Sequence, residues 1–391
     1  MSAKDELVPY LNREHALVKH KLFERYFKSF IMILGNSRSN MAYIDAFAGP
    51  WLSSEEGYGD TSFGRAINAI ESCSVSLAQQ QNKMLRFRCL LIEAEESAFS
   101  ELNNFANKAN KPTATVEARN CKFEDCVEEI SAWIKPGEKT FVLIDPKAYR
   151  GLISPRVLSP LLKNPDVEVL INYMWQFINL AIGHGRSNEK HDENLKDLYG
   201  SDYLYLSNLP PGEKEKALIR QYKKRLVEES GTHGEIRARA AAFPVEYANR
   251  DGTKYYLVYL THNPRGLIAF GEASDKAIED QKEIQLIVGQ SKREAKTGVS
   301  DLFSGINESI IIITARENAW LERLPVPESS IVVNAEMWAD MLEENDSLPC
   351  ELQAGLKKLI EKNVVEVVGA TARRKKNFVN WRNSETVRRI K

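Results

Sequence analysis

Short apolar runs separated by amphipathic stretches pace the first half of this chain, and several of the runs stop at a polar residue. Met41-Ala42-Tyr43-Ile44 stops at Asp45, Phe87-Arg88-Cys89-Leu90-Leu91-Ile92 at Glu93, and Thr140-Phe141-Val142-Leu143-Ile144 at Asp145. Near-continuous apolar strands of this kind suit a sheet covered on both faces, not one with a wet side. Further strands are expected over 113–118, 167–172, 254–261 and 310–314. Helices are expected over 17–34, over 62–81 with Ser62 as N-cap, over 97–109 and over 123–134. Strand–helix alternation with such strands predicts a doubly wound parallel α/β domain.

Residues 176–240, rich in charge, Gly, His and Asn, interrupt the alternation and read as a helical insertion over the crevice. The pattern changes again near Pro325. Helices over 335–344 and 349–362, the second capped by Ser347, lead to a hairpin of 364–368 with 377–381. That order reads as a winged helix-turn-helix. The expected domains are 1–324, α/β with the insertion, and 325–391, winged helix.

Composition narrows the classes of function. The 391 residues are 43% hydrophobic and 27% charged, with a net charge of −1, so any pull toward nucleic acid must be local. No apolar run approaches the length of a bilayer span and the first residues lack a signal-peptide core, so a cytoplasmic protein without membrane attachment is expected. Five cysteines with no CxxC spacing argue against disulfides and against a metal site. His184 and His191, seven apart with no cysteine nearby, do not alter that.

Four polar positions fall at or just beyond strand ends: Asp45, Glu93, Asn120 and Asp145. Open α/β sheets bind ligands along that edge. Asp45 is followed by the small-residue turn Ala46-Phe47-Ala48-Gly49-Pro50-Trp51, which a nucleotide-like ligand can approach closely. Glu93 would suit ribose hydroxyls, and Asn120 or Cys121 an adenine edge. Glu93 lies 44 residues beyond Gly49 and GxGxxG is absent, so a dinucleotide cofactor is disfavoured. Asp145-Pro146-Lys147-Ala148-Tyr149 offers an acceptor for an amine, a fixed turn and a ring to stack on a base. Trp175, Phe177 and Asn179, after the fifth strand, are candidates to line a base pocket. Asn263-Pro264-Arg265-Gly266 reads as a turn.

Residues 371–391 carry eight Lys/Arg against the single acid Glu385. Arg373, Arg374, Lys375, Lys376 and Arg382, interleaved with Phe378 and Trp381, are the expected nucleic-acid contacts.

Taken in order, Lys19-His20, "YIDAFAGPW", "LIEAEES", "VLIDPKAYRGL" and "YYLVYLTHNPRGLIAF" resemble the three-Cys-motif partner (TcmP) family. The order Lys-His, strand-one acid, Ala-Gly and Asp-Pro is also similar to that of large-subunit ribosomal RNA adenine-N6 methyltransferases. The resemblance implies a Rossmann-like class I methyltransferase domain using S-adenosylmethionine, a C-terminal winged helix, and a three-Cys-motif protein as partner. It further implies that Asp45 and the Phe47-Ala48-Gly49-Pro50 backbone hold the methionine part of the cofactor. Glu93 would take the ribose, Asn120 and Cys121 would flank the adenine, and Lys19 and His20 would meet the cofactor carboxylate or the substrate. Asp145 and Pro146 would position the methyl acceptor, with Tyr149 beside them. Trp51 stands where the family has Gly, and Lys147-Ala148 where amino-methyltransferases have a second Pro before Tyr. Methyl transfer to a nucleobase amine in RNA or DNA is the first expectation. These departures favour the alternative, a non-catalytic specificity subunit that binds cofactor and nucleic acid. A third possibility is a Mg²⁺-dependent phosphoesterase using Asp45, Glu93 and Asp145.

Overall fold

In this computed structural model the described residues are 6–11, 13–49, 58–146, 152–184, 189–201, 203–297, 308–369 and 378–391. The chain divides into two compact units, Met1–His262 and Asn263–Lys391.

The first unit opens with helix α1 (Glu14–Gly35), then alternates strictly: β1 (Asn40–Asp45), α2 (Ser62–Gln81), β2 (Arg86–Glu93), α3 (Glu96–Ala109), β3 (Ala114–Asn120), α4 (Phe123–Trp133), β4 (Lys139–Ile144), α5 (Pro155–Leu162) and β5 (Val167–Tyr173). Four helices follow: α6 (Trp175–His184), α7 (Glu189–Tyr199), α8 (Tyr203–Ser207) and α9 (Pro211–Ser230). A two-stranded ribbon, β6 (Thr232–His233) and β7 (Ile236–Arg237), precedes β8 (Arg239–Glu246) and β9 (Thr253–Thr261). The seven-stranded sheet runs β3-β2-β1-β4-β5-β9-β8, with β9 antiparallel to both of its neighbours and the first five strands parallel. Chain order reverses between β1 and β4, the point at which open α/β sheets present a crevice.

Helix α1 covers one face of this sheet with the apolar residues its periodicity marked. Phe27 packs 5.3 Å from Phe141 of β4, and Tyr26 4.8 Å from Tyr259 of β9. A buried acid lies beneath it: the Glu168 carboxylate accepts from Tyr26 (2.5 Å), Tyr259 (2.8 Å) and Thr261 (3.1 Å). Burial pushes the Glu168 carboxyl above its usual range despite these bonds.

The second unit holds α10 (Pro264–Thr297), α11 (Glu308–Arg323), β10 (Ser330–Val333), α12 (Ala335–Glu344), α13 (Pro349–Glu361), β11 (Val365–Val367) and β12 (Glu385–Arg389). Its strands form an antiparallel sheet ordered β10-β12-β11. Trp320 of α11 is fully buried and donates from Nε1 to the Leu352 carbonyl at 2.9 Å, while Gly355 lets α13 lie against the Arg316 backbone.

Several expectations are corrected here. Residues 310–314 lie in helix α11, not in a strand; an apolar run that short does not distinguish the two states. Among the described residues the strand that follows β11 is Glu385–Arg389 and 378–381 form none, while β10 and β8, which contains Pro244 and shifts register between Val245 and Glu246, are strands that the apolar runs do not mark. The expected boundary at 324/325 falls inside the second unit, because α10 and α11 pack on α12 and α13. Asn263 starts a helix instead of a plain turn, its Oδ1 accepting the Arg265 N–H at 2.9 Å. Thr61, not Ser62, caps α2 (3.1 Å to the Gly64 N–H). Ser347 does not cap α13; there the Glu351 carboxylate accepts the Leu348 N–H at 3.1 Å. A disulfide joins Cys121 and Cys126, residues that strand end and helix start bring to a Cα separation of 6.5 Å.

Candidate functional site

Strand β1 delivers Asp45 to the sheet edge, and its neighbours anchor the turn that follows. The Ala46 N–H donates to the Leu143 carbonyl (2.9 Å), and the Ala48 N–H to the Ile92 carbonyl (2.8 Å). Asp45 itself is fully buried. Its Oδ1 accepts the Phe47 N–H at 3.2 Å, and its Oδ2 accepts the hydroxyls of Tyr43 (3.0 Å) and Ser62 (2.6 Å). Burial pushes its carboxyl up to about 6, and the charge of Asp145 adds to this against the pull of the three hydrogen bonds. Asp45 therefore braces the turn from below.

Asp145, just beyond β4, is held from two sides. Lys19 of α1 forms an ion pair with its Oδ2, and Asn172 near the end of β5 donates from Nδ2 to its Oδ1 at 2.6 Å. That bond fixes the orientation of the Asn172 amide, whose buried Oδ1 has no hydrogen-bond partner among the described residues. Beside Lys19, His20 Nδ1 lies 2.9 Å from the Tyr10 hydroxyl, which accepts from Arg65 at 2.8 Å. Burial, then the Lys19, Arg65 and Arg13 charges, hold the His20 imidazole well below its usual range. One turn earlier, His15 Nε2 lies 2.8 Å from Lys254 Nζ; burial first and Lys254 second lower this imidazole to about 4.

These groups surround a cleft of about 520 Å³, within the size range of small-molecule sites. Of the residues anticipated from sequence, Lys19, His20, Phe47, Gly49, Asp145 and Pro146 line it together. Asp45 and Ala48 lie buried behind the lining. Glu93, Asn120 and Cys121 do not line this cleft. Glu93 Oε1 accepts the Glu95 N–H at 2.7 Å, Asn120 Nδ2 donates to the Glu93 carbonyl at 2.9 Å, and Cys121 is tied to Cys126. Phe177 lines the cleft, Trp175 is buried in the core and Asn179 is exposed. Pro50, Trp51, Lys147, Ala148, Tyr149, Arg373, Arg374, Lys375 and Lys376 lie outside the described residues.

No family model and no curated protein matches the chain.

Sequence reasoning missed Ser62, Asn172, His15 and Lys254. Ser62 was read as a cap and Asn172 as the end of a strand, and no motif marks His15 or Lys254; only the packing of α1 on β9 brings the last two together. In the second unit, Arg382 pairs with Glu272 (3.2 Å) and stacks 4.6 Å from the Trp381 ring, and Arg388 pairs with Glu366 (2.8 Å). Arg389 donates to the Leu324 and Pro325 carbonyls. Among the described residues no cluster of three or more His, Cys, Asp or Glu is arranged for a metal, and no helix is long and apolar enough to cross a membrane.

Proposed function

We propose that the chain is an S-adenosylmethionine-dependent methyltransferase acting on an exocyclic amine of a nucleobase in RNA or DNA, in the cytoplasm. The observation that carries this reading is the Lys19–Asp145–Asn172 constellation in the cleft at the β1/β4 reversal. The reversed β9 between β5 and β8 fits the class I methyltransferase-like fold that the motifs resemble, an argument by fold analogy. The TcmP resemblance, a winged helix in the second unit and a three-Cys-motif partner belong to the same reading.

The lining suits the cofactor's chemistry. Lys19 is a cation for a carboxylate, Asp145 and the buried Asn172 Oδ1 are acceptors, and Gly49 leaves the turn without a side chain. Bound there, S-adenosylmethionine supplies an electrophilic methyl group on a sulfonium. Asp145 accepts a hydrogen bond from the entering amine; its two oxygens have more acceptor positions than Lys19 and Asn172 fill. Lys19 and Asn172 keep that carboxylate in one orientation, so catalysis is mainly positional. A base in a duplex must be unpaired or flipped out to reach it.

The engagement of Asp145 by Lys19 favours one rival, a non-catalytic subunit that binds cofactor and nucleic acid. Incubation with radiolabelled methyl donor and mixed cellular RNA and DNA separates the two. Label in a base supports the enzyme; calorimetric binding of S-adenosylmethionine without any labelled acceptor supports the subunit. Neither binding nor labelling removes both.

A further inference from the structure

Three cations converge on one part of the cleft wall, and His15 lies at their centre. Lys19 is one turn along α1 from His15, Arg13 precedes it on the chain, and Lys254 of β9 places Nζ 2.8 Å from its Nε2. An ammonium has three donors and no acceptor, so the imidazole must accept. Burial and the surrounding charges keep that ring neutral, and burial also lowers the Lys254 amine from its usual value. Lys19 has its counter-ion in Asp145, and Glu14 contributes negative charge near Lys254 without lining the cleft. On the lining itself the acids are Asp60 and Asp145, one fewer than the cations. Arg13 donates to the Pro9 carbonyl at 3.3 Å and has no ion-pair partner among the described residues. A second feature marks the mouth: Phe177 lines the cleft with 41% of its surface exposed. Flat bases stack on rings presented in this way.

We propose that Arg13 and the His15-propped Lys254 form a phosphate subsite, so that the cleft takes its substrate as a nucleotide with Phe177 beside the base. His15 is a positioning residue: it accepts a hydrogen bond from one Lys254 N–H and leaves the others aimed at the oxyanion. The proposal rests on the nucleobase reading above, but its test does not depend on methyl transfer.

The probes are AMP and adenosine, titrated calorimetrically into the full chain with and without saturating S-adenosylhomocysteine. AMP is expected to bind about tenfold or more tightly than adenosine, the size of a charge-assisted hydrogen bond. That advantage is expected to persist beside S-adenosylhomocysteine and to disappear in Lys254→Ala and in the surface variant Arg13→Ala. Equal binding of AMP and adenosine, no AMP binding, or an advantage that survives both substitutions would overturn the subsite. Loss of the advantage when S-adenosylhomocysteine is present, with weaker S-adenosylhomocysteine binding in Lys254→Ala, would assign the cations to the cofactor carboxylate and also overturn it. If S-adenosylhomocysteine fails to bind while the Lys254-dependent advantage remains, the subsite stands and the methyltransferase reading falls.

Discussion

Lys19 and Asp145 lie 126 positions apart in the chain and meet as an ion pair, joining the first helix to the end of β4. Because α1 packs flat on the β1/β4 region, a side chain from its first two turns closes the crevice where chain order reverses. The site is thus a property of helix-on-sheet packing as much as of the strand ends.

Asp145→Asn keeps the shape of the side chain and removes its charge. Under the proposed function, methyl transfer falls about 100-fold or more, and S-adenosylmethionine affinity changes by less than about threefold. Single-turnover transfer and calorimetry measure the two separately. Equal loss of both would make Asp145 a cofactor ligand instead.

Asp45 gives the fold a pH dependence whose sign is set by burial. Its folded-state value of about 6 exceeds the ordinary 3.8, so the folded chain holds a proton that the unfolded chain gives up. The associated stability is complete below pH 4 and is lost as pH rises toward 6. It amounts to roughly 3 kcal/mol for a shift of this size. Urea unfolding from pH 4 to 7 should show this slope, and Asp45→Asn should flatten it.

Tyr26→Phe removes one donor from the buried Glu168 carboxylate and leaves the acid in place. The expected cost is about 1–3 kcal/mol, the penalty for an under-satisfied buried acceptor. Glu168→Gln together with Tyr26→Phe should cost less than the two single changes summed. A double-mutant cycle read by thermal unfolding tests the coupling.

Gly355→Ala should reverse the usual sign of a helix substitution. In an open helix the change stabilises by about 1 kcal/mol. Here the added Cβ would sit 2.8 Å from the Arg316 carbonyl carbon, so α11 and α13 must part. A loss of about 1–3 kcal/mol is expected in thermal unfolding.

Arg388→Ala should leave nucleic-acid affinity and its salt dependence unchanged, because Glu366 already neutralises that guanidinium. Replacing Arg373, Arg374, Lys375 or Lys376 by Ala should each reduce the slope of log affinity against log salt by about 1 if they contact phosphates. Fluorescence anisotropy over a salt series reads both.

Periodicity and local apolar runs sufficed to locate β1, β2, β4, β5 and the helices over 62–81 and 335–344, since each is stabilised by a pattern visible within its own residues. Strand ends likewise marked Asp45, Glu93, Asn120 and Asp145 as edge residues. Which of them share a cleft depended on the third dimension. Asp45 turned down onto Ser62, Glu93 and Asn120 bonded with their own neighbours, and only Asp145 met Lys19 in the cleft. Asn172, His15 and Lys254 carry no local signal, because their roles arise from contacts between elements far apart in the chain. A residue's neighbours along the chain determine its secondary structure; its charge, partners and access to a ligand are decided by what tertiary packing lays against it.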